Sequence, residues 1–331
     1  MKRRQFIIAL GGATLAWPLA ARAQQGTPMR RVGMLMNNVA TEPIYQAYVD
    51  TFEKTLQTLG WTQGRNLKLE IRWSAGDSQL VHSYAVELAS MMPDVLVAST
   101  TPNLRALLPA AKTIPIVFVV VSDPVAQGFV SDLAHPGGNI TGFAAYEFAM
   151  GGKWVDLLKQ MMPNIKHIAV MFNPDTAPQS KLFLSSIEAA APGLGVQVVA
   201  APVHDETEIA RAIEAASSEP DGGLLFPTDT FTSVHTDLIV KLAARYRLPA
   251  IYSNSPAMVR DGGLMYYGID FEPQYRQVAV YVDRILRGAK PGDLPVQLAT
   301  SFKLIVNLKT ARELGLEVPM GLMLRADEMV E

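Results

Sequence analysis

Short apolar runs of strand length alternate with stretches of helical periodicity along most of this chain. Residues 31–36 form a first run, and residues 44–59 follow with Tyr48, Phe52 and Leu56 spaced four apart on one helical face. The series continues with apolar runs at 66–73, 94–98, 115–121 and up to Gly142-Phe143, separated by helical stretches at 81–91 and 104–111. Strands that alternate with helices in this way predict an α/β fold with a parallel sheet covered on both faces.

The same alternation starts again in the middle of the chain. Its elements are helices at 152–162, 179–191, 206–216 and 234–246 and strands at 165–172, 196–201, 223–226 and 250–252. Two series of similar size, with no long linker between them, predict two doubly wound, Rossmann-like lobes that face each other.

The last third of the chain is too short to form a third lobe. It contains a strand at 263–268, a helix at 274–286 and a strand at 302–306, which we expect to complete the two sheets. The chain then crosses between the lobes several times, and these crossings form a hinge. The predicted division is 29–143 plus about 269–299 for the first lobe, and 144–268 plus about 300–325 for the second.

The first 23 residues have the three parts of a cleavable export signal. Lys2, Arg3 and Arg4 precede an apolar stretch at 6–16, and Ala21-Arg22-Ala23 provides the small residues that a signal peptidase reads. The sequence therefore predicts a signal peptide over 1–23 that is cleaved near Ala23. Its paired arginines resemble the twin-arginine motif, but paired basic residues also occur in ordinary Sec signals, so both routes stay open.

The chain contains no cysteine. A lipoprotein anchor needs a cysteine just after the signal, and disulfides need two, so the mature protein is expected to be soluble in the periplasm and stabilised by its core.

Charge and motifs argue against several functional classes. The net charge of -2 provides no positive surface for nucleic acid. Neither a phosphate-binding G-x-x-x-x-G-K-[ST] motif nor a G-x-S-x-G motif occurs, and the five histidines show no H-E-x-x-H spacing. The glycine-rich segment 137–142 precedes a strand rather than a helix, so it lacks the context of a dinucleotide site. We expect no cofactor, no metal site and no catalytic activity.

Polar residues follow the predicted strands of both series, where ligands bind in doubly wound sheets. They are Asn37-Asn38, Ser99-Thr100-Thr101, Ser122-Asp123, Asn173, Thr228-Asp229-Thr230 and Ser253-Asn254. Thr101 precedes a proline and is expected to cap the next helix, whose N-terminus suits a carboxylate. Asp123 and Asp229 are expected to receive an ammonium group. Caps and turns explain each residue equally well when it is taken alone. Four tyrosines near the strand ends are candidate aromatic walls, namely Tyr45, Tyr146, Tyr252 and Tyr267.

Several longer stretches resemble one known family. They are 60–66 (Gly-Trp-Thr-Gln-Gly-Arg-Asn), 113–118 running to Ser122-Asp123-Pro124, 135–142, Asn173-Pro174 and 268–270. The chain resembles the substrate-binding proteins of ABC transporters, in the family with tryptophan- and tyrosine-binding members and a type I periplasmic-binding fold. The resemblance implies two lobes that close on a small ligand and deliver it to an inner-membrane permease. It also implies ligand contacts at Thr101, Asp123, Asn173 and Asp229, while Thr100, Ser253 and Asn37 are added from their positions after strands.

The sequence thus predicts a monomeric periplasmic receptor for an ABC importer, with a small carboxylate-bearing ligand such as an amino acid or an aromatic acid. Two alternatives stay open, an exported α/β enzyme and a ligand-sensing domain that signals to a receptor kinase. A DNA-binding repressor of the same fold is disfavoured, because a signal peptide stands where its helix-turn-helix would be. If Asp229 pairs with the ligand, Asp229→Ala is expected to weaken binding and leave the fold intact.

Overall fold

A computed structural model describes residues 29–145 and 148–331 of the chain. The predicted signal peptide and Tyr146 lie outside these residues. The strands are Arg30–Met36 (β1), Leu67–Trp73 (β2), Val95–Ser99 (β3), Ile116–Val121 (β4), Ile140–Ala144 (β5), His167–Phe172 (β6), Gln197–Pro202 (β7), Gly222–Phe226 (β8), Ala250–Tyr252 (β9), Met265–Ile269 (β10), Gln297–Leu298 (β11), Phe302–Asn307 (β12) and Glu328–Val330 (β13).

Helices occupy most of the connections between these strands. They are Pro43–Thr58 (α1), Ser78–Ser90 (α2), Thr101–Ala110 (α3), Met150–Met161 (α4), Ser180–Ala190 (α5), Glu206–Ser217 (α6), Thr230–Val234 (α7), Thr236–Arg245 (α8), Ala257–Arg260 (α9), Phe271–Leu286 (α10), Leu308–Leu314 (α11) and Met320–Met323 (α12). None of the helices within 29–145 and 148–331 is long and apolar enough to cross a membrane.

The strands form two separate sheets. The first has the order β11-β5-β4-β3-β1-β2 with every pair parallel, and the second has the order β13-β12-β10-β9-β8-β6-β7. In the second sheet only the β10–β12 pair is antiparallel. We call each sheet with its packed helices a lobe, lobe 1 for the first and lobe 2 for the second. Two mostly parallel sheets interleaved with helices confirm the predicted fold class.

The chain passes between the lobes three times in its described course. It leaves lobe 1 between β5 and α4, returns between β10 and α10, and leaves again between β11 and β12. A backbone hydrogen bond from Asp270 to Ser301, 3.0 Å long, ties the second crossing to the third. The Lys303 ammonium lies 2.9 Å from the Asp270 carboxylate at the same place. The residue bounds of the two lobes stay a prediction.

Apolar residues on both faces of each sheet build the core. In β1, Val32, Met34 and Met36 point to one face and pack with α1 and α10, whereas Leu35 points to the other face and packs with α2 and α3. Trp154 of α4 is fully buried against lobe 2. Burial on both faces explains why these strands are continuous apolar runs, since no residue of a central parallel strand faces water.

The structure differs from the predicted elements at two functional places. Thr100, and not Thr101, is the N-cap residue of α3, and its side chain makes no capping hydrogen bond, because the chain turns one residue earlier with φ 89° at Thr100. The predicted helix 234–246 corresponds to α8, and the short helix α7, which was not predicted, ends just before it and is capped by the Asp229 carboxylate.

Candidate functional site

The carboxyl ends of the strands of both lobes meet at one cleft. Asn37 follows β1, and its side-chain Nδ2 donates to Thr230 Oγ1 of lobe 2 over 2.8 Å. This bond joins residues 193 positions apart in the sequence and is buried. Ligands bind at such strand ends in doubly wound sheets, so the cleft is the candidate site.

A central cavity of about 40 Å³ lies between the lobes at this point. Strand-end loops of both sheets line it, together with α1 and the start of α10. The lining residues are Asn38, Tyr45, Tyr48, Ser99, Thr100, Val120, Phe271 and Tyr275 from lobe 1, and Thr228, Asp229, Thr230, Ser233 and Asn254 from lobe 2. Asp229 is the only charged residue among these described residues.

Aromatic rings form the wall of the cavity on the side of lobe 1. Tyr48 of α1 stacks on Tyr275 of α10, with ring centroids 5.1 Å apart and planes inclined by 15°. Phe271 and Tyr45 each meet Tyr48 edge to face, at 6.3 and 6.0 Å. The Tyr275 hydroxyl is hydrogen-bonded to Ser99 Oγ at 2.8 Å, which fixes the ring. This wall is a rigid surface for a flat apolar group.

Tyr45 closes the wall toward lobe 2. Its hydroxyl faces the side chains of Ser255 and Ser233 across the cleft. Burial raises the pKa of Tyr45 to about 12, and these two serine side chains oppose that shift. The phenol therefore stays neutral and serves as a hydrogen-bonding group at ordinary pH.

Two hydroxyls of the cavity lining have no protein partner. Thr100 Oγ1 of lobe 1 and Thr228 Oγ1 of lobe 2 are both buried, and neither makes a hydrogen bond to another described residue. A buried polar atom without a partner costs about 1–3 kcal/mol. Because they line the cavity from opposite lobes, these hydroxyls are suited to bind one polar group from two sides.

The backbone beside the Thr100 hydroxyl is strained. Thr100 has φ 89° and Val120 has φ 59°, and the register between β4 and β5 shifts between Val119 and Val121. A β-branched residue in the left-handed region costs of order 1–3 kcal/mol and persists only where the surrounding structure holds it. Both strained residues line the central cavity, which is where strain of this kind concentrates in proteins.

Asp229 is buried, with 2 % exposure, and its carboxylate is fully used by the protein itself. Oδ1 accepts from Thr176 Oγ1 at 2.7 Å and from the Phe231 amide at 3.0 Å, while Oδ2 accepts from the amides of Asn173 at 3.0 Å and Thr232 at 3.3 Å. A carboxylate offers about four acceptor positions, and all four are occupied. Burial raises the pKa of Asp229, and the four donors oppose that shift. The expectation that Asp229 receives a ligand ammonium does not fit this geometry.

Asn173 belongs to the same structural unit. Its Oδ1 accepts from the amides of Asp175 and Thr176, at 2.8 and 3.3 Å, which closes a turn after β6. Since its own amide donates to Asp229, the loops after β6 and β8 are held together as one piece.

Asp229 and Thr100 line the central cavity, whereas the predicted residues Thr101, Asp123 and Ser253 do not. Thr101 is buried in the first turn of α3. Asp123 accepts from the Ala126 amide at 3.0 Å and so caps a turn after β4. Ser253 Oγ donates to the Phe226 carbonyl at 3.0 Å inside lobe 2. Asp123 and Ser253 thus bond within their own lobes, and such local bonds compete with ligand binding at strand ends.

Two other cavities flank the central one. Asn37 lines a cavity of about 100 Å³, together with Arg105 of α3 and Thr176 of lobe 2. A cavity of about 340 Å³ shares Asn38, Tyr45 and Ser233 with the central one, and its charged lining residues are Glu42, Asp237 and Asp261. Burial and the nearby Asp237 raise the pKa of Asp261. The second cavity is therefore acidic.

Of the tyrosines singled out in the sequence, Tyr45 lines the cleft, whereas Tyr252 stacks on Phe226 in the core and Tyr267 stacks on Phe302. Three aromatic residues of the central wall, Tyr48, Phe271 and Tyr275, were not predicted as site residues from the sequence. The spacing of Phe271 and Tyr275, four apart directly after a strand, was a usable signal. Across the described part of the chain, no group of three or more His, Asp or Glu side chains could hold a metal ion.

Comparisons with known proteins find similar chains. A tyrosine-binding protein from Clostridioides difficile (strain R20291) is 29% identical over 266 residues, or 80% of this chain and 76% of the relative. An ABC domain from Streptococcus pneumoniae, solved in complex with L-Trp, superposes with a TM-score of 0.83 at 26% identity, covering 91% of this chain and 100% of that one. The ligand-free, open structure of a substrate-binding protein with adhesive properties from Clostridium difficile gives a TM-score of 0.66 at 28% identity, covering 92% and 100%.

The family model for ABC transporter substrate binding protein matches residues 37–330. This match includes both sheets, except for the first strand, and every residue that lines the central cavity. The chain belongs to the family of ABC transporter substrate-binding proteins.

Proposed function

We propose that this protein is the periplasmic receptor of an ABC importer and that it binds an aromatic amino acid in the cleft, across the central cavity and the larger cavity that shares Asn38, Tyr45 and Ser233 with it. The observation that carries the proposal is the pairing of an aromatic wall with two unpartnered hydroxyls, one from each lobe. The wall accepts the side chain of the ligand, and Thr100 and Thr228 donate to its carboxylate. The tyrosine-binding relative and the neighbour with bound L-Trp support this ligand class.

The choice of an amino acid over an aromatic acid rests on charge. No Lys or Arg side chain is among the described residues that line the central cavity, so a carboxylate is held there by neutral donors. The charged lining residue Asp229 already accepts four hydrogen bonds from the protein, which offset its negative charge. The adjacent cavity presents Glu42, Asp237 and Asp261, which attract the ammonium group of an amino acid and repel a second anion. An aromatic acid that lacks the ammonium group is not attracted by these three carboxylates.

The other predicted site residues have supporting roles in this proposal. Asp229 and Asn173 hold the loops after β6 and β8, Asp123 shapes the turn after β4, and Thr101 and Ser253 keep their own lobes packed. They act on affinity by placing Thr100 and Thr228 rather than by contact with the ligand.

The proposed location and partner follow from the leader and the family. We propose that residues 1–23 direct the chain to the periplasm, where the mature protein works as a soluble monomer and delivers its ligand to an inner-membrane permease. N-terminal sequencing of the protein from an osmotic-shock fraction should find a start just after Ala23. A full-length chain retained in the cytoplasm would contradict the location without bearing on the ligand.

Calorimetry and thermal unfolding test the ligand. L-Trp, L-Tyr and L-Phe are compared with L-Glu, L-Lys and with 3-(4-hydroxyphenyl)propionate, which keeps the ring and carboxylate of tyrosine but lacks its ammonium. A ligand at 100 times its Kd stabilises the folded protein by about 2.7 kcal/mol. We expect that stabilisation from an aromatic amino acid and much less from the propionate. If none of the aromatic amino acids raises the midpoint of unfolding, the proposal is wrong.

Conservative variants then test the contacts. Thr100→Val and Thr228→Val keep the shape and remove the hydroxyl, and each is expected to weaken binding about tenfold to a hundredfold, as for a hydrogen bond to a charged group. Ser180→Ala is the matched control, because its buried hydroxyl also has no partner but does not line the described cavities of the cleft. Unchanged affinity in both threonine variants would remove the hydroxyls from the site.

A further inference from the structure

Asn37 bridges the two lobes directly, from one side chain to another. Its Nδ2 donates to Thr230 Oγ1 at 2.8 Å, and its Oδ1 accepts from Ser74 Oγ at 2.8 Å, so lobe 1 itself orients the amide toward lobe 2. Asn37 is only 1 % exposed and Thr230 only 8 %. When the lobes close, both side chains lose their hydrogen bonds to water, and the bond between them replaces those hydrogen bonds.

The surrounding backbone is shaped for this close approach. Gly76 donates its amide to the Asn37 carbonyl at 2.8 Å. A Cβ placed on Gly76 would lie 3.5 Å from Thr230 Cγ2 and 3.9 Å from a methyl group of Val234, which are ordinary contact distances. The loop after β2 therefore lies next to the start of α7, at a separation that one added methyl group would fill, and the Asn37–Thr230 bond lies beside it.

Two solved relatives, the L-Trp complex and the ligand-free, open structure, differ in how closely they superpose on this protein. The L-Trp complex gives a TM-score of 0.83, and the ligand-free, open structure gives 0.66, although the sequence identities are 26% and 28%. This protein is therefore more similar in overall shape to the L-Trp complex than to the open structure, and in it the Asn37–Thr230 bond is formed.

We propose that the Asn37–Thr230 bond is a latch that stabilises the closed arrangement of the lobes and so sets the affinity for whatever the cleft binds. The apparent Kd equals the intrinsic Kd divided by the fraction of protein in the binding-competent form. When the lobes open, water replaces the bond and both groups stay satisfied. Removal of either partner therefore penalises only the closed form. Asn37 acts in this account as a positioning residue and not as a ligand contact.

The effect on affinity rests on the proposed function, but the effect on lobe closure does not. Thr230→Val preserves the shape of the side chain and leaves the Asn37 amide unpaired in the closed form alone. A buried unpaired donor of this kind should lower the ratio of closed to open protein about tenfold. The same factor is then expected in the affinity for L-Trp or L-Tyr.

Pulsed EPR on the ligand-free protein measures the closure directly. The chain has no cysteine, so Val86→Cys on α2 and Leu182→Cys on α5 introduce one spin label in each lobe at exposed positions. We expect a closed distance population in the parent protein and a shift toward longer distances in Thr230→Val. Thr232→Val is the matched control, since its hydroxyl bonds only Asn254 and Asp229 within lobe 2, and it should not change the distances.

The outcomes separate the latch from the proposed function. Unchanged ligand-free distances in Thr230→Val, with or without a loss of affinity, would overturn the latch and leave the aromatic ligand standing. A parent protein without a closed population would overturn it as well. If no aromatic amino acid binds but Thr230→Val still opens the lobes, the latch holds and the proposed ligand is wrong.

Discussion

Asp229→Ala is predicted to destabilise lobe 2 rather than to abolish a ligand contact. The carboxylate is buried and accepts four hydrogen bonds, three from backbone amides and one from Thr176. Alanine removes all four acceptors at once, so the cap of α7 and the link to the loop after β6 are lost together. Neither the donors of α7 nor the Asn173 amide has another acceptor within the described loops.

The expected loss follows from these contacts. Each buried donor left without a partner costs about 1–3 kcal/mol, and the loss of a helix cap costs about 1 kcal/mol. Water that enters the space vacated by the carboxylate recovers part of this loss, and the mutant no longer has to bury a charged group. We therefore expect a net loss of about 3 kcal/mol in the free energy of unfolding, which corresponds to a drop of roughly 6–12 °C in Tm for a domain of this size.

Urea denaturation and calorimetric unfolding measure this change, with Asp205→Ala as the matched control. Asp205 is also an N-cap aspartate in lobe 2, but it is exposed and accepts only from the Glu208 amide, at 2.8 Å. The control should lose about 1 kcal/mol or less. If Asp229→Ala unfolds like the parent protein yet no longer binds an aromatic amino acid, the structural role is refuted and Asp229 is a ligand contact after all.

Two further predictions concern the sheets. Gly142→Ala should prevent folding or cost several kcal/mol in the free energy of unfolding measured by urea denaturation. A Cβ at this position would overlap the Phe118 carbonyl and approach the Phe118 ring to 2.7 Å. Gly193→Ala is the control, because it has open space around it, and it should change the free energy of unfolding by less than about 0.5 kcal/mol. The Arg260 guanidinium lowers the pKa of Glu328 below its ordinary 4.5, so the stabilisation from this pair is present above pH 4.5 and is lost as the pH falls through the lowered value. Glu328→Gln should therefore cost about 0.2–1 kcal/mol at pH 7, and the difference from the parent should shrink in acid; a difference that does not change with pH would contradict the ion pair.

Much of the fold could be predicted because buried parallel strands have a simple signature. The run at 115–121 was expected as a central strand, and β4 lies there between β3 and β5 with all its residues except Val120 buried. The start of α3 after Thr100 and the short helix α7 were not predicted, because each depends on a single local feature. One is a positive φ at Thr100, and the other is the cap that Asp229 gives to α7. Neither feature leaves a periodic pattern in the sequence.

The site was predictable as a region but not residue by residue. Polar residues after strands did mark the cleft, and Thr100 lines its cavity. Whether such a residue is free depends on partners that are far away in sequence, as Thr176 is for Asp229, 53 positions apart. The wall residue Tyr275 comes from a helix that returns to lobe 1 after most of lobe 2, and its contact with Tyr48 depends on that crossing.

The polar groups of the cleft divide into three sets with separate physical tasks. Asp229 and Asn173 are saturated within lobe 2, Asn37 and Thr230 satisfy each other across the cleft, and the Thr100 and Thr228 hydroxyls are unpaired. Loss of a saturated group should lower stability, loss of a bridging group should lower closure, and loss of an unpaired group should lower only the affinity for ligand. Ligand preference can then change through the unpaired hydroxyls and the aromatic wall while the loops and the closure stay intact. A protein that used Asp229 for both support and recognition would lack this independence.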